Sequence, residues 1–306
     1  MIPSCHHLAL GTAQLGMPYG IANRAGQPES NTARNMITAA WEQGIRFFDT
    51  AQAYGISEGV LGQALRSGGL SDQACVITKL SPSLSEAHPN EITAAIRDSL
   101  ECLGIPRLWA ILLHREEQLD QWNGALGIAL RHAREEGMTQ HLGVSVYTPH
   151  RALQALEMSG LDVLQVPANL FDRRMQRSQI FQEAAAKGVS VFIRSIYLQG
   201  LALFSSQQAR ETAPFALAAV SALERFCNVN RLDQKRFAFE YAKDIAAEAF
   251  RIVGAETPEQ VVENARLEDE AKLDPALFRE WDNYWPDDVE ELVNPGRWPT
   301  TPQSKQ

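Results

Sequence analysis

Four ionisable side chains, Asp49, Tyr54, Lys79 and His114, stand at or just past the ends of strand-like runs within the first 114 residues. The stretch Asp49-Thr50-Ala51-Gln52-Ala53-Tyr54-Gly55-Ile56-Ser57-Glu58 follows an apolar segment, Ile45-Arg46-Phe47-Phe48, and leads into an amphipathic run over 58–65. It reads as the end of a buried strand, a loop that carries a tyrosine, and a helix that opens at Ser57. Cys75-Val76-Ile77-Thr78 then runs into Lys79, and Trp109-Ala110-Ile111-Leu112-Leu113 runs into His114. If these strands are parallel neighbours, the four groups converge in one pocket. The chemistry they would do there is proton transfer, because an ammonium beside a phenol stabilises the phenolate and lets a tyrosine with an ordinary pKa near 10 work at neutral pH. Taken singly, each residue has a plainer reading: a packed surface tyrosine, a solvated lysine, a hydrogen-bonding structural histidine. Their order and common placement favour the joint reading.

The elements that would position them alternate along the chain. Strand-like segments lie at 8–10, 46–48, 76–78, 109–113, 142–146, 163–166, 189–193 and 249–253. Helical periodicity fills 32–43, 58–65, 91–103, 125–136, 151–158, 178–187, 232–243 and a run from Pro258. Eight strands with helices between them predict an α/β chain folded as a single (β/α)8 TIM barrel over 1–306, with its active site at the C-terminal ends of the strands. Asn31 is expected to cap the first helix, and Gly44, Gly104, Gly137 and Gly188 to return helices to the next strand. An insertion at 199–230 contains its own helical run at 215–226. A tail at 274–306, rich in Trp281, Tyr284, Trp285, Pro286, Pro295, Trp298 and Pro299, is expected to drape over the barrel.

At 306 residues and a net charge of −9, the chain can bury a large core, and its field attracts neither nucleic acid nor an anionic membrane. A small soluble substrate is the default. The opening Met1-Ile2-Pro3-Ser4-Cys5-His6-His7 lacks the basic patch and apolar run of a signal peptide, and no stretch nears the roughly 20 apolar residues of a membrane span, which predicts a cytoplasmic protein. Cys5, Cys75, Cys102 and Cys227 show no metal spacing and read as reduced, small apolar residues, with no metal implied.

The signatures DT-x-x-x-YG-x-SE, ITK and LLH, in this order on three strand ends, make the chain resemble the aldo-keto reductases over nearly its whole length. The resemblance implies a (β/α)8 barrel, NADP or NAD as cofactor, and a small carbonyl or alcohol substrate. It makes Tyr54 the general acid and base, Lys79 the ammonium beside it, Asp49 the partner that fixes Lys79, and His114 the hydrogen-bond donor to the carbonyl oxygen. Cofactor contacts carry over to Gly11, Thr12 and Ala13 in the opening loop, to Asp49, to Ser145 and Gln165 at the carboxamide, to Arg194, Ser195, Tyr197, Gln199 and Gly200 after the seventh strand, and to Gly254, Glu256, Thr257, Gln260, Glu263 and Asn264 after the eighth.

Three departures from the family pattern stand out. Gly143-Val144-Ser145 is followed by Val146 where the family has Asn, so Ser145 lacks that partner. Arg194 occupies the place of an aromatic that stacks on the nicotinamide; a guanidinium there can stack, bias the redox balance or bind an anionic substrate group, or it can be a rim arginine paired with an acid. Gly254 and Gln260 stand where NADPH-preferring members have basic residues, and Glu256 adds negative charge, which argues against strong NADPH selectivity. The reading is an NAD(P)-dependent oxidoreductase acting on a small polar, sugar-like molecule. The alternatives are a non-catalytic nucleotide-binding barrel acting as a partner or regulatory subunit, and a barrel enzyme using held cofactor for a step without net redox change. Nothing in the sequence fixes the oligomeric state.

Overall fold

Short runs of Val, Ile, Leu and Phe bounded by helices are the pattern of strands buried on both faces, which a parallel sheet covered by helices requires. The computed structural model describes residues 7–84, 88–285 and 289–299. In it, β1 (Leu8–Gly11), β2 (Phe47–Asp49), β3 (Cys75–Leu80), β4 (Leu108–Leu113), β5 (Thr139–Ser145), β6 (Val163–Pro167), β7 (Ser190–Arg194) and β8 (Phe250–Gly254) pair in sequence order and close into a barrel. Closure is parallel throughout, with Gly11 opposite both Asp49 on β2 and Gly254 on β8. The strand ends that carry the candidate residues therefore share one rim.

Side chains alternate in and out along each strand. Phe47, Ile77, Trp109, Phe192 and Phe250 fill the interior. Phe192 stacks on Phe250 with centroids 4.6 Å apart, and Phe47 meets Trp109 edge-on at 4.9 Å. The interior is thus a packed floor beneath the C-terminal rim. Outward residues such as Phe48, Val76 and Ile111 join the larger core against the helices.

Returning turns take positive φ at Gly44 (82°), Gly104 (62°), Gly137 (77°) and Gly188 (68°), where a Cβ would be strained, as the sequence predicts. Elsewhere the local expectations need correction. The first long helix spans Ser30–Glu42 with Glu29 as its N-cap, so Asn31 lies inside it. The helix expected over 178–187 runs over Ile180–Ala186, opened by Gln179 at φ 57°, and a separate turn, Arg174–Arg177, precedes it, where Asp172 accepts from the Arg174 backbone N–H (3.3 Å) and guanidinium (2.8 Å). The insertion holds Ser206–Thr212 and Leu217–Asn230.

The first part of the tail is helical. Asp274 caps a helix, Pro275–Tyr284, and Trp281 on it is fully buried, donating its indole N–H to the Leu170 carbonyl at 2.8 Å. Asp282 accepts from Arg173 at 2.9 Å and from the Tyr241 hydroxyl at 2.6 Å, and Arg173 also donates to the Trp285 carbonyl. Asp274-Pro275 followed by apolar residues at 278 and 281 is a helix-start signal overridden by the Trp and Pro content downstream. Cys5, the rest of 1–6, Pro286 and 300–306 lie outside the described residues. Cys102 and Cys227 are free thiols. Among the described residues, no helix is long and apolar enough to cross a membrane.

Candidate active site

Asp49 ends β2 and Lys79 is the penultimate residue of β3; two-residue alternation turns both inward, continuing the rows begun by Phe47 and Ile77. Thr78 consequently faces outward and donates to Glu58 at 2.6 Å. Lys79 Nζ donates to both Asp49 oxygens (2.8 and 2.7 Å) and to the Thr50 carbonyl (2.8 Å), and its three protons are satisfied inside the barrel, where Lys79 is 1% exposed.

Tyr54 sits on a loop fastened at several points. The Thr50 backbone N–H donates to Ile77 and that of Gln52 to Lys79 (2.8 and 3.1 Å), while the Gln52 amide donates to Ala95 and Ser99. Below, Thr12 donates to the Asp49 carbonyl (2.9 Å) and Ser57 to the Thr12 carbonyl (2.7 Å). Gly16 and Gly55 let the opening loop and the Tyr54 loop touch: a Cβ on Gly16 would lie 1.9 Å from the Tyr54 carbonyl oxygen, and one on Gly55, at φ 58°, would lie 2.3 Å from the Gly16 carbonyl oxygen. The Tyr54 ring meets His114 edge-on at 5.5 Å, and Lys79 Nζ lies 4.9 Å from the Tyr54 ring centre. The four residues therefore do converge.

Their electrostatics differ from the expectation in one respect. Burial, and then the Asp49 carboxylate, push the Tyr54 phenol above its ordinary pKa, whereas the sequence argument has Lys79 lowering it. The reason is geometric: Lys79 spends its charge on Asp49 and meets the face of the ring. Burial pulls Lys79 itself down, against the hold of Asp49. His114 is pushed down to about 3 by burial, with Lys79 and Arg194 adding to it, so the imidazole is neutral at physiological pH.

That shift has a stability consequence. A histidine near 6.5 in the unfolded chain and about 3 in the folded one lets the unfolded state bind more protons between those values. Folding stability should therefore fall as pH drops from 6.5 towards 3, and His114→Gln should flatten that slope in urea melts taken across the same range; an unchanged slope would place the proton uptake elsewhere.

Above these residues opens a cleft of about 420 Å³. Asp49 and Tyr54 line it, as do Gly11, Thr12 and Ala13 from the end of β1. The loop after β7 contributes Arg194, Ser195, Tyr197, Gln199 and Gly200, and the segment after β8 contributes Gly254, Glu256, Gln260, Glu263 and Asn264. Lys79 and His114 adjoin it through their contacts with Asp49 and Tyr54. Gln165 is also off the wall, but its amide donates to Asp49 Oδ1 at 2.8 Å, with Ser145 opposite it in register. Thr257 caps the helix Pro258–Asp269 by accepting from the Gln260 N–H at 3.3 Å, a structural position.

Sequence reasoning missed Tyr19, Lys235 and Tyr147. Tyr19 lines the cleft, and burial raises it to about 12; its Tyr-Gly pair in a loop after a barrel strand was the available signal. Lys235, on the helix Gln234–Ile245, reaches the cleft and pairs with Glu263 at 2.5 Å, a juxtaposition only the folded helices create. Tyr147 lies under Arg194, whose Cζ is 3.9 Å from the ring centre. Arg194 also donates to the Val146 carbonyl and the Ser195 hydroxyl, both at 3.4 Å, and it has no carboxylate partner among the described residues, which corrects the reading of an acid-paired rim arginine.

Four buried polar atoms in or beside the cleft lack partners, His114 Nδ1, Gln165 Oε1, the Tyr197 hydroxyl and Asn264 Oδ1, with Gln165 and Asn264 1% and 4% exposed. Among the described residues no three His, Cys, Asp or Glu side chains are grouped to hold a metal ion.

The family model described as the aldo/keto reductase family matches residues 7–286. The chain belongs to that family. This aldo/keto reductase chain is 24% identical over 309 residues to a pyridoxal 4-dehydrogenase of Microbacterium luteolum, covering 84% of this chain and 87% of that protein. It is 26% identical over 227 residues to a D-threo-aldose 1-dehydrogenase of a Pseudomonas species, covering 63% and 69%. In aldo-keto reductases of Mycolicibacterium smegmatis and Bacillus subtilis, the chain spans about half the length of the relative it matches, 41% and 52%. The holo form of an aldo-keto reductase from Bacillus halodurans superposes with a TM-score of 0.75 at 20% identity, covering 95% of this chain and 96% of that one, a likeness of fold.

Proposed function

We propose that this aldo/keto reductase is a nicotinamide-dependent oxidoreductase that interconverts a carbonyl and an alcohol on a small polar molecule, with Tyr54 as the proton donor. The observation that carries the reading is the buried Lys79 ammonium, bound to both oxygens of Asp49, 4.9 Å from the Tyr54 ring centre, with neutral His114 in an edge contact with that ring at 5.5 Å.

The residues present fit a dinucleotide. Gln165 Oε1 and Asn264 Oδ1 are buried acceptors without partners, suited to the amide of a nicotinamide and the amino group of an adenine. Ser145, Gln165 and Asp49 would hold the nicotinamide end, and Gln260, Glu263 and Asn264 the adenosine end. The bound cofactor supplies or accepts hydride.

The chain's own residues handle the oxygen. The raised Tyr54 keeps its proton through the neutral range, so it enters reduction as a loaded acid and gives that proton to the oxygen as negative charge develops. His114, neutral, donates one hydrogen bond to the same oxygen. Asp49 and the Thr50 carbonyl hold the Lys79 ammonium 4.9 Å from the ring centre, and the field of Arg194 favours the phenolate left behind.

For the nucleotide, we infer a preference for NADH. At the adenosine end Glu256 and Glu263 are acidic, and the cation there, Lys235, is consumed by Glu263 at 2.5 Å. A 2′-phosphate would meet net negative charge. Glu256→Lys with Gln260→Arg should raise NADPH affinity relative to NADH by roughly tenfold or more, read by parallel fluorescence titrations of the two reduced cofactors; an unchanged ratio would show that the adenosine lies elsewhere. The names of the pyridoxal and aldose dehydrogenases support a polar, hydroxyl-bearing substrate. Steady-state assay of a carbonyl panel with NADH tests the main reading, and cofactor binding without turnover would favour the non-catalytic barrel.

A further inference from the structure

Two cations line the cleft, Arg194 and Lys235. Lys235 is neutralised by Glu263, and Asp49, the carboxylate at the cleft floor, is neutralised by Lys79. Arg194 at the end of β7 is left as the cleft's cation without an acid among the described residues. It is nonetheless held in place: the Tyr147 ring lies under its guanidinium at 3.9 Å, and the Val146 carbonyl and Ser195 hydroxyl accept at 3.4 Å. Those contacts use two of five N–H donors at long range, which leaves a rigid fork with free donors and an uncompensated charge. Its field also reaches the reacting centre, lowering the Tyr54 phenol and the His114 imidazole.

A partly desolvated guanidinium with spare donors is a half-built ion pair, and the planar partner that completes it in two parallel hydrogen bonds is a carboxylate. We propose that Arg194 is a specificity-determining residue that binds a carboxylate on the substrate, so that the carbonyl compound reduced at Tyr54 is an aldehyde acid or oxo acid. The inference rests on the proposed carbonyl reduction and adds the class of substrate. The departures at 146 and 194 become parts of one device on this reading, since the Val146 carbonyl helps to hold the arginine.

The test is the ratio of kcat/KM within matched pairs that differ by a carboxylate: glyoxylate against glycolaldehyde, succinate semialdehyde against butanal, and D-glucuronate against D-glucose. The wild type should favour the acid by at least about tenfold in at least one pair. Arg194→Met should bring that ratio near one, and Arg194→Lys should keep part of it, which also guards against a variant that misfolds. No acid preference in any pair overturns the proposal. So does a ratio that survives in Arg194→Met while both members fall together, since the cation would then act on the cofactor. Absence of turnover with every compound would sink the reductase reading instead; calorimetric titration with the same pairs then decides the inference, with acid-selective binding lost in Arg194→Met supporting it and binding indifferent to the carboxylate overturning it.

Discussion

Tyr54→Phe should lower turnover of the carbonyl substrate by at least about 10²-fold while the affinity for reduced nicotinamide cofactor stays within a factor of about two. The loss is that large because no other donor is placed to replace the phenol. His114 is neutral and presents only a hydrogen bond, and Lys79 has its three protons committed to Asp49 and Thr50. The fold should be unaffected, because the Tyr54 backbone, not its hydroxyl, carries the loop contacts with Ala51 and Ser57. Stopped-flow measurement of the chemical step, with fluorescence titration of the cofactor, separates the two quantities. Turnover within tenfold of wild type would remove Tyr54 from the role of acid.

The second large effect is on stability. Lys79→Met leaves the Asp49 carboxylate, 4% exposed, with the Gln165 amide as its remaining side-chain donor, and an uncompensated buried charge of this kind costs about 3–5 kcal/mol. Asp49→Asn in the same chain removes the stranded charge, so the double variant should recover most of the lost stability, though not activity. Urea denaturation of wild type, both single variants and the double variant closes the cycle. Additive losses would mean that Asp49 and Lys79 do not act as a pair.

Much of this architecture was legible in the sequence, for physical reasons. The eight strands read clearly because a strand buried on both faces must be almost wholly apolar, and the polar exceptions at their ends, Asp49, Lys79 and His114, stand out against that background. The glycine turns read clearly because positive φ admits few other residues. What did not read were features created by contact between distant segments. Lys235 and Glu263 meet only because neighbouring helices lie side by side, and Tyr147 acquires meaning only beneath Arg194. The helix over Pro275–Tyr284 was hidden by its own composition. The direction of the Tyr54 shift depends on which face of the ring Lys79 approaches, and no spacing encodes that.

All four residues of the proposed proton-transfer group lie in the first 114 positions, yet the Asp49 carboxylate is completed by Gln165 on β6, and β1 finds its second neighbour only in β8. A nascent chain or an amino-terminal fragment can thus contain all four of these side chains and still lack the assembled site. During refolding, contacts so far apart in sequence must await slow, long-range strand pairing. Regained turnover should accordingly track the final closing of the ring rather than the early appearance of helix, making catalysis a reporter of the last event in folding.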